Sequence, residues 1–311
     1  MLVASLLDRG HGLFMSVTTW INGLFDRMTG LRVVRSKSLL RLPPFPSPDS
    51  QNYSWDLGES LGAVRLRNGG LVFIDVRDQS LGWPLRAQRE WEPEIGKLIG
   101  RFLPSGGTAI EVGSNVGCHV ITMARAAGAA GRVIAVEANP VVAQMLRATV
   151  EINGLRNTRV AETAVLDRPQ DVELFASPLH LGGGAVGLPG WDQDPNVRDW
   201  LRHKVRAITL DDLAADVASV DLIHIDAEGC ELAILAGGGK LLSRSPAVKI
   251  IAEWGAVNAP SYFDIEQGLD MLIQYGFHFW RISNGGLVPQ SRDQMLAREF
   301  CDVVMSRTDP T

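Results

Sequence analysis

Cysteine is scarce in this chain. Cys118, Cys230 and Cys301 are the only three among 311 residues, and none forms a CxxC pair. Such spacing argues against a disulfide framework or a zinc site and points to a reducing compartment. Positive charge is in short supply too. Thirty Lys and Arg stand against 35 Asp and Glu, a formal net charge of −5. No Lys/Arg run marks a basic face, so nucleic acid is not an expected partner. No stretch reaches the roughly 18 uninterrupted apolar residues of a membrane span. The opening MLVASLLDRGHGLF places Asp8 and Arg9 inside a short apolar run and lacks a basic start, so it makes a poor signal peptide. Internal repeats and low-complexity arrays are also missing. Together these absences lead to the expectation of a soluble, cytoplasmic protein.

What is present suits an α/β enzyme. The hydrophobic fraction of 46% is enough for a full core. The expected division is an N-terminal extension over 1–85 and a main domain over 86–311. Residues 1–41 carry Leu6, Leu7, Leu13, Phe14, Trp20, Ile21, Leu24 and Phe25 at roughly helical spacing. This pattern fits an accessory helical layer, which could pack on a partner subunit of a homo-oligomer, or a weak peripheral membrane contact. A proline-rich linker, Leu42 to Pro48, follows. Ala63–Arg67 and Leu71–Val76 flank Asn68-Gly69-Gly70 and read as a hairpin. Pro93 is suited to the first turn of a helix ending near Leu103.

The centre of the chain is Ile110-Glu111-Val112-Gly113-Ser114-Asn115-Val116-Gly117. An apolar strand, Thr108–Val112, runs into this glycine-bracketed turn, and Val120, Ile121, Ala124 and Ala127 continue as a helix. A second strand, Arg132–Val136, ends in Glu137-Ala138-Asn139-Pro140. Asn139 is an N-cap candidate with Pro140 at N1. An acid at this interval after a glycine turn can accept two hydrogen bonds from a ribose diol. The turn reads GxxxG, with Asn115 where a dinucleotide binder needs a glycine to approach pyrophosphate. That weakens an NAD-linked oxidoreductase and favours a ligand without phosphates.

Strands are expected at Arg159–Ala164, Asp171–Phe175, Val220–Ile225, Val248–Ala252, Phe277–Ile282 and Phe300–Met305. A capped short helix is expected at Thr209–Leu213 and a longer one from about Phe263 to Tyr275, while residues 177–201 read as a long irregular loop. Strands alternating with helices imply a Rossmann-like, mainly parallel sheet with helices on both faces. Asp226 and Glu253 both end strands, where open α/β sheets bind ligands. The two-residue period places His224 and Asp226 on one face. His224 reads as a general base near neutral pH or as a hydrogen-bonded sheet histidine. Asp226 and Glu253 read as a hydroxyl site, Asp226 alternatively as a helix cap. A divalent ion on these hard oxygens is a further alternative, not the expected one. Glu228 and Glu231 read as metal partners, caps or sources of negative potential. His119 reads as packing or solvent-facing, His180 and His203 as weak acceptor-site candidates, and Trp191, Trp200 and Trp254 as stacking or buried rings.

The runs IEVGSNVGCHV, VIAVEANP, TLDDL and DLIHIDAEGCELAILAGG resemble the FkbM-type S-adenosylmethionine-dependent methyltransferases, over roughly residues 90–255 and more weakly beyond. The resemblance implies a seven-stranded sheet whose last strand is antiparallel, and methyl transfer to a hydroxyl of a sugar, glycolipid or other natural product. It implies that Glu111, Gly113, Ser114, Asn115 and Gly117 line the methionine end of the cofactor, with Asp226 close by. Glu137 would hold the ribose and Asn139 would lie near the adenine edge. Glu92, in a WEPE that resembles the family's Tyr-Glu-Pro segment, would also face the cofactor. His224 departs from the family, which usually has lysine there. A cofactor-binding scaffold without turnover is the non-enzymatic alternative.

Overall fold

The structure is a computed structural model that describes residues 53–58, 60–187, 197–255, 262–283, 286–298 and 300–311. The helical pattern of residues 1–41, the proline-rich linker, Trp191 and the Asn284-Gly285 turn lie outside the described residues. Asn52–Thr311 form one compact unit.

Its centre is an eight-stranded sheet. In chain order the strands are β4 (Thr108–Val112), β5 (Arg132–Glu137), β6 (Thr158–Glu162), β11 (Leu222–Ile225), β12 (Lys249–Trp254), β13 (His278–Ser283), β14 (Gly286–Gln290) and β15 (Cys301–Ser306). Their spatial order is β14-β13-β15-β12-β11-β4-β5-β6. The neighbours from β12 to β6 pair in parallel, while β15 runs antiparallel between β12 and β13. The expected seven strands and reversed last strand are present, and β14 adds an eighth. Pro289 lies within β14. An edge strand tolerates a residue that cannot donate to a ladder.

Three helices precede or follow the first two strands: α2 (Pro93–Phe102), α3 (Cys118–Ala127) and α4 (Pro140–Ile152). The side chain of Asn139 accepts from the Val141 amide and caps α4, as expected. The short helix expected at Thr209–Leu213 is α5 (Leu210–Leu213), closed by a capping box between Thr209 and Asp212. Strand alternation sorts the core. Ile110, Val112, Ile134, Val136, Ile223 and Ile225 pack into one cluster with Leu232, Ile234 and Leu235 of α6 (Glu231–Ala236). Burying each such side chain contributes about 1.5–3 kcal/mol, so this layer fixes the register of the central strands. Residues of opposite parity, including Glu111 and His224, turn to the other face.

Two smaller sheets flank the centre. The expected hairpin is β2 (Leu61–Arg65) with β3 (Leu71–Asp75), and β1 (Ser54–Gly58) extends it to three strands. Asn153 ties β3 to the end of α4, accepting from the Leu71 amide and donating to its carbonyl. A short helix, α1 (Gly82–Gln88), follows β3. The second flanking sheet corrects the reading of residues 177–201 as a loop. β9 (His180–Val186) and the start of β10 (Leu201–Ile208) lie there, in a sheet ordered β7-β10-β8-β9 with β7 (Ala164–Val165) and β8 (Gln170–Ser177). Among the described residues no helix is long and apolar enough to cross a membrane.

Candidate active site

The site lies at the carboxyl ends of β4, β5, β11 and β12. Gly113, at φ +85°, makes the turn after β4 and lies so close to the next loop that a Cβ would overlap the carbonyl oxygen of Asp226. Only glycine allows that approach. Three of the four described non-glycine residues at positive φ border this region: Glu92 (41°), Asn115 (48°) and Glu228 (50°). Residues held in such sparsely populated conformations cluster at functional sites.

Glu137 closes the turn from below. One carboxylate oxygen accepts from the Asn115 amide at 2.9 Å, the other from the Asn139 amide at 2.7 Å. The Ala138 amide also bonds this carboxylate, and a carboxylate has about four acceptor positions, so one is left for a ligand hydroxyl. Burial pushes the Glu137 carboxyl up to about 7, against the opposing pull of those amides. Ser114 serves the turn itself, its hydroxyl donating to the Glu111 carbonyl. Among the described residues two buried acceptors at the turn have no partner, Glu111 Oε2 and Asn115 Oδ1. Buried polar atoms are nearly always satisfied, so each is open to a donor from a ligand or an ordered water.

Beneath the turn is a paired cluster that the sequence did not disclose. His224 Nδ1 lies 3.1 Å from Glu111 Oε1, and His119 Nε2 lies 3.0 Å from Glu92 Oε2. The two imidazoles meet edge to face at 5.1 Å between centroids. Burial lowers His224 to about 4 and raises Glu111 to about 7. His224 is thus hydrogen-bonded to Glu111, its register partner on the neighbouring strand β4. His119 is buried and joins the cluster through Glu92, at the N-cap of α2. Glu92 and His119 are 27 residues apart, and no local pattern announces such a contact.

Asp226 and Glu253 follow the paired Ile225 and Ala252, one residue on, and so lie side by side near the carboxyl ends of β11 and β12. Asp302 is the register partner of Glu253. Burial raises Asp226, and the neighbouring Glu253 carboxylate adds to the effect. Glu253 is pushed up to about 8 by burial and by the nearby acids. Glu231 closes the loop after Asp226: one oxygen accepts from the Ala227 and Gly229 amides. Trp254 is buried and donates to the Met295 carbonyl, so burial is its role. Among the described residues no group of three or more His, Cys, Asp or Glu side chains is placed to hold a metal ion.

A cleft runs between Gly113, Glu137 and Asp226 on its floor and Gly182, Gly184 and Val186 of β9 on its roof. The segment from Glu111 to Phe279 matches the methyltransferase FkbM domain, more than half of the chain. The protein belongs to the FkbM methyltransferase family. This assignment makes it a methyltransferase and removes the oxidoreductase alternative. The family segment begins at Glu111 itself, so the glycine turn, Glu137, His224, Asp226 and Glu253 all fall within it, whereas Glu92 and the β1–β3 sheet do not. No curated protein matches the chain. Similar solved structures include an O-methyltransferase from Bacillus cereus in complex with SAH. It is 17% identical over 70% of this chain and 81% of that chain, at a TM-score of 0.39. An O-methyltransferase of tomaymycin synthesis from Streptomyces achromogenes, in complex with SAM, is 15% identical over 69% of this chain and 79% of that one, at 0.40. A SAM-dependent O-methyltransferase from Thermotoga maritima is 13% identical over 79% and 78%, also at 0.40.

Proposed function

We propose that this FkbM-family protein transfers a methyl group from S-adenosylmethionine to a hydroxyl oxygen of a sugar, a glycolipid or another natural product. The observation that carries the reading is the glycine turn with its two unsatisfied buried acceptors, Glu111 Oε2 and Asn115 Oδ1, set against Glu137. These residues fit the cofactor. Glu111 and Asn115 offer acceptors to an ammonium group, Glu137 offers its remaining acceptor capacity to the ribose diol, and Asn139 borders the adenine end. When bound, the cofactor supplies an activated methyl group on a cationic sulfonium, which leaves little covalent work to the protein. The chain's task is to orient the acceptor oxygen, exclude water and take up the hydroxyl proton.

Asp226 is the proposed base, with Glu253 beside it. Two adjacent carboxyls in a partly desolvated mouth hold protons more readily than usual, and a base poised near the working pH is the most effective. His224, at about 4 and engaged with Glu111, is a weaker candidate. The uncharged character of a hydroxyl acceptor also suits a rim whose ionised forms are already crowded.

Calorimetric titration with S-adenosylhomocysteine tests the cofactor half of this reading. The wild type should bind, and Glu137→Ala should bind at least about tenfold more weakly. Unchanged affinity in that variant would remove the cofactor assignment. A mass-spectrometric screen across sugar, lipid and polyketide hydroxyls tests the acceptor half through a gain of one methylene unit. Binding without any product over that panel would favour the non-catalytic scaffold.

A further inference from the structure

β9 roofs the cleft, yet little of its middle is held by its own sheet. It lies at one edge, and its pairing with β8 is interrupted. Phe175 pairs with Ala185 and Ser177 with His180, so residues 181–184 face Ala176 alone. Buried backbone groups released from a ladder need other partners. Leu181 finds both of its partners in side chains. Its amide donates to Asp78 Oδ2 at 3.1 Å, and its carbonyl accepts from Asn139 Nδ2 at 3.0 Å. The adjoining Leu179 carbonyl accepts from the Gln79 amide at 2.9 Å.

Asp78 is 4% exposed and sits in the loop between β3 and α1, outside the family segment. Its other oxygen, Oδ1, accepts from the Ser80 and Leu81 amides, both at 2.9 Å. One carboxylate thus shapes its own loop and grips the roof strand. Immediately after the gripped residue comes Gly182, where a Cβ would overlap the Asn115 side chain. The strap therefore rests directly on the glycine turn, and Gly182 and Gly184 line the cleft opposite Gly113 and Glu137.

We infer that Asp78 is a positioning residue for the cofactor site: through Leu181 it latches residues 181–184 across the cleft and so controls release of the bound nucleoside. This rests on the cofactor reading above. Asp78 does not line the cleft itself. A ligand lying between Gly113 and Gly182 can leave only when the strap lifts from Asn115, and lifting breaks the bond between Leu181 and Asp78.

Asp78→Asn separates the two tasks of the side chain. Asparagine keeps one acceptor oxygen for the Ser80 and Leu81 amides but presents N–H groups to the Leu181 amide, which cannot bond them. The dissociation rate of S-adenosylhomocysteine, measured by stopped-flow displacement, should rise about tenfold, as expected for one lost buried hydrogen bond. The KM for S-adenosylmethionine should rise in step, while kcat at saturation stays level or increases. A merely structural lesion would instead lower the active fraction and leave the off-rate of the folded molecules alone. A folded Asp78→Asn whose off-rate stays within twofold of wild type overturns the inference. Hydrogen exchange on the wild type gives a second reading that needs no variant. Residues 178–186 should gain protection when S-adenosylhomocysteine binds, and unchanged exchange in the saturated complex would overturn the latch equally. Wild type that binds no S-adenosylhomocysteine at all would instead count against the cofactor reading itself.

Discussion

Asp226 and His224 stand two residues apart and share a face, as the strand period requires, yet their surroundings give them different chemistry. His224 is 4% exposed and committed to Glu111, while Asp226 has reached the end of the strand and the mouth. The two-residue spacing was legible in the sequence. The partner that occupies His224 was not, because Glu111 lies on another strand, 113 residues away. The same applies to Glu92 and His119. Residue types at strand ends announced the acids of the site, and only the packing of α2 and α3 shows which of them are engaged. At this scale the two base candidates part company. Asp226→Asn should lower the single-turnover rate of methyl transfer at least about 100-fold with cofactor affinity little changed, the loss expected of a general base. His224→Asn should stay within about tenfold of wild type. If the histidine variant suffers the larger loss, the assignment of the base is reversed.

The elements were legible where a period was strong and obscure where glycine or proline diluted it. β4, β5, α3 and α4 follow from apolar alternation, a glycine turn and an Asn-Pro cap. β9 reads HLGGGAV, and three glycines leave no alternation to detect. Its strand conformation is imposed by β8 on one side and by Asp78 and Asn139 on the other. The helix α1, GWPLRAQ, carries a proline in its first turns and was missed for a similar reason. Asn139 joins these two kinds of element, because Oδ1 caps α4 while Nδ2 holds the strap. Asn139→Ala should lose both contributions. The cap is worth about 1 kcal/mol. The orphaned Leu181 carbonyl adds about 1–3 kcal/mol. Asn139→Ser should recover the cap alone. Urea denaturation of the two variants should therefore place serine about 1 kcal/mol above alanine and still below wild type. Equal stabilities for alanine and serine would mean that the capping bond contributes nothing here.

For the whole molecule, the site is a concentration of buried acid on a scaffold that already carries a formal charge of −5. Burial raises Glu111 and Glu137 to about 7, and Asp226, Glu231, Glu253 and Asp302 are raised as well. In the unfolded chain such carboxyls titrate near 4–4.5. Between about pH 4.5 and 8, where Glu253 is the last of these to ionise, the folded state therefore keeps protons that the unfolded chain has released, and stability must fall as pH rises through that window. His224 acts in the opposite direction. Its folded value of about 4 lies below the ordinary 6.5, so its contribution grows from pH 4 to 6.5 and is complete above that. The two effects oppose each other in mild acid, and above pH 6.5 the acids act alone. A tenfold difference in proton affinity between the folded and unfolded states is worth about 1.4 kcal/mol for each buried acid. Ligand-free protein should therefore lose stability between about pH 6.5 and 8. A cationic ligand in the cleft offsets this, because it favours the ionised carboxylates. The stabilisation conferred by S-adenosylmethionine should then increase over the same pH range, and more steeply than that conferred by the uncharged thioether of S-adenosylhomocysteine. Glu111→Gln keeps a hydrogen-bonding group beside His224 and removes one of the titrating acids. That variant should bind the cofactor more weakly and, ligand-free at about pH 8, should be more stable than wild type. Denaturant midpoints at both ends of that pH interval, with and without each ligand, measure all of this in one series. A wild type whose ligand-free stability rises across the interval would show that the buried carboxyls of the site already ionise freely in the folded state, and the proposed link between site charge and cofactor binding would fail.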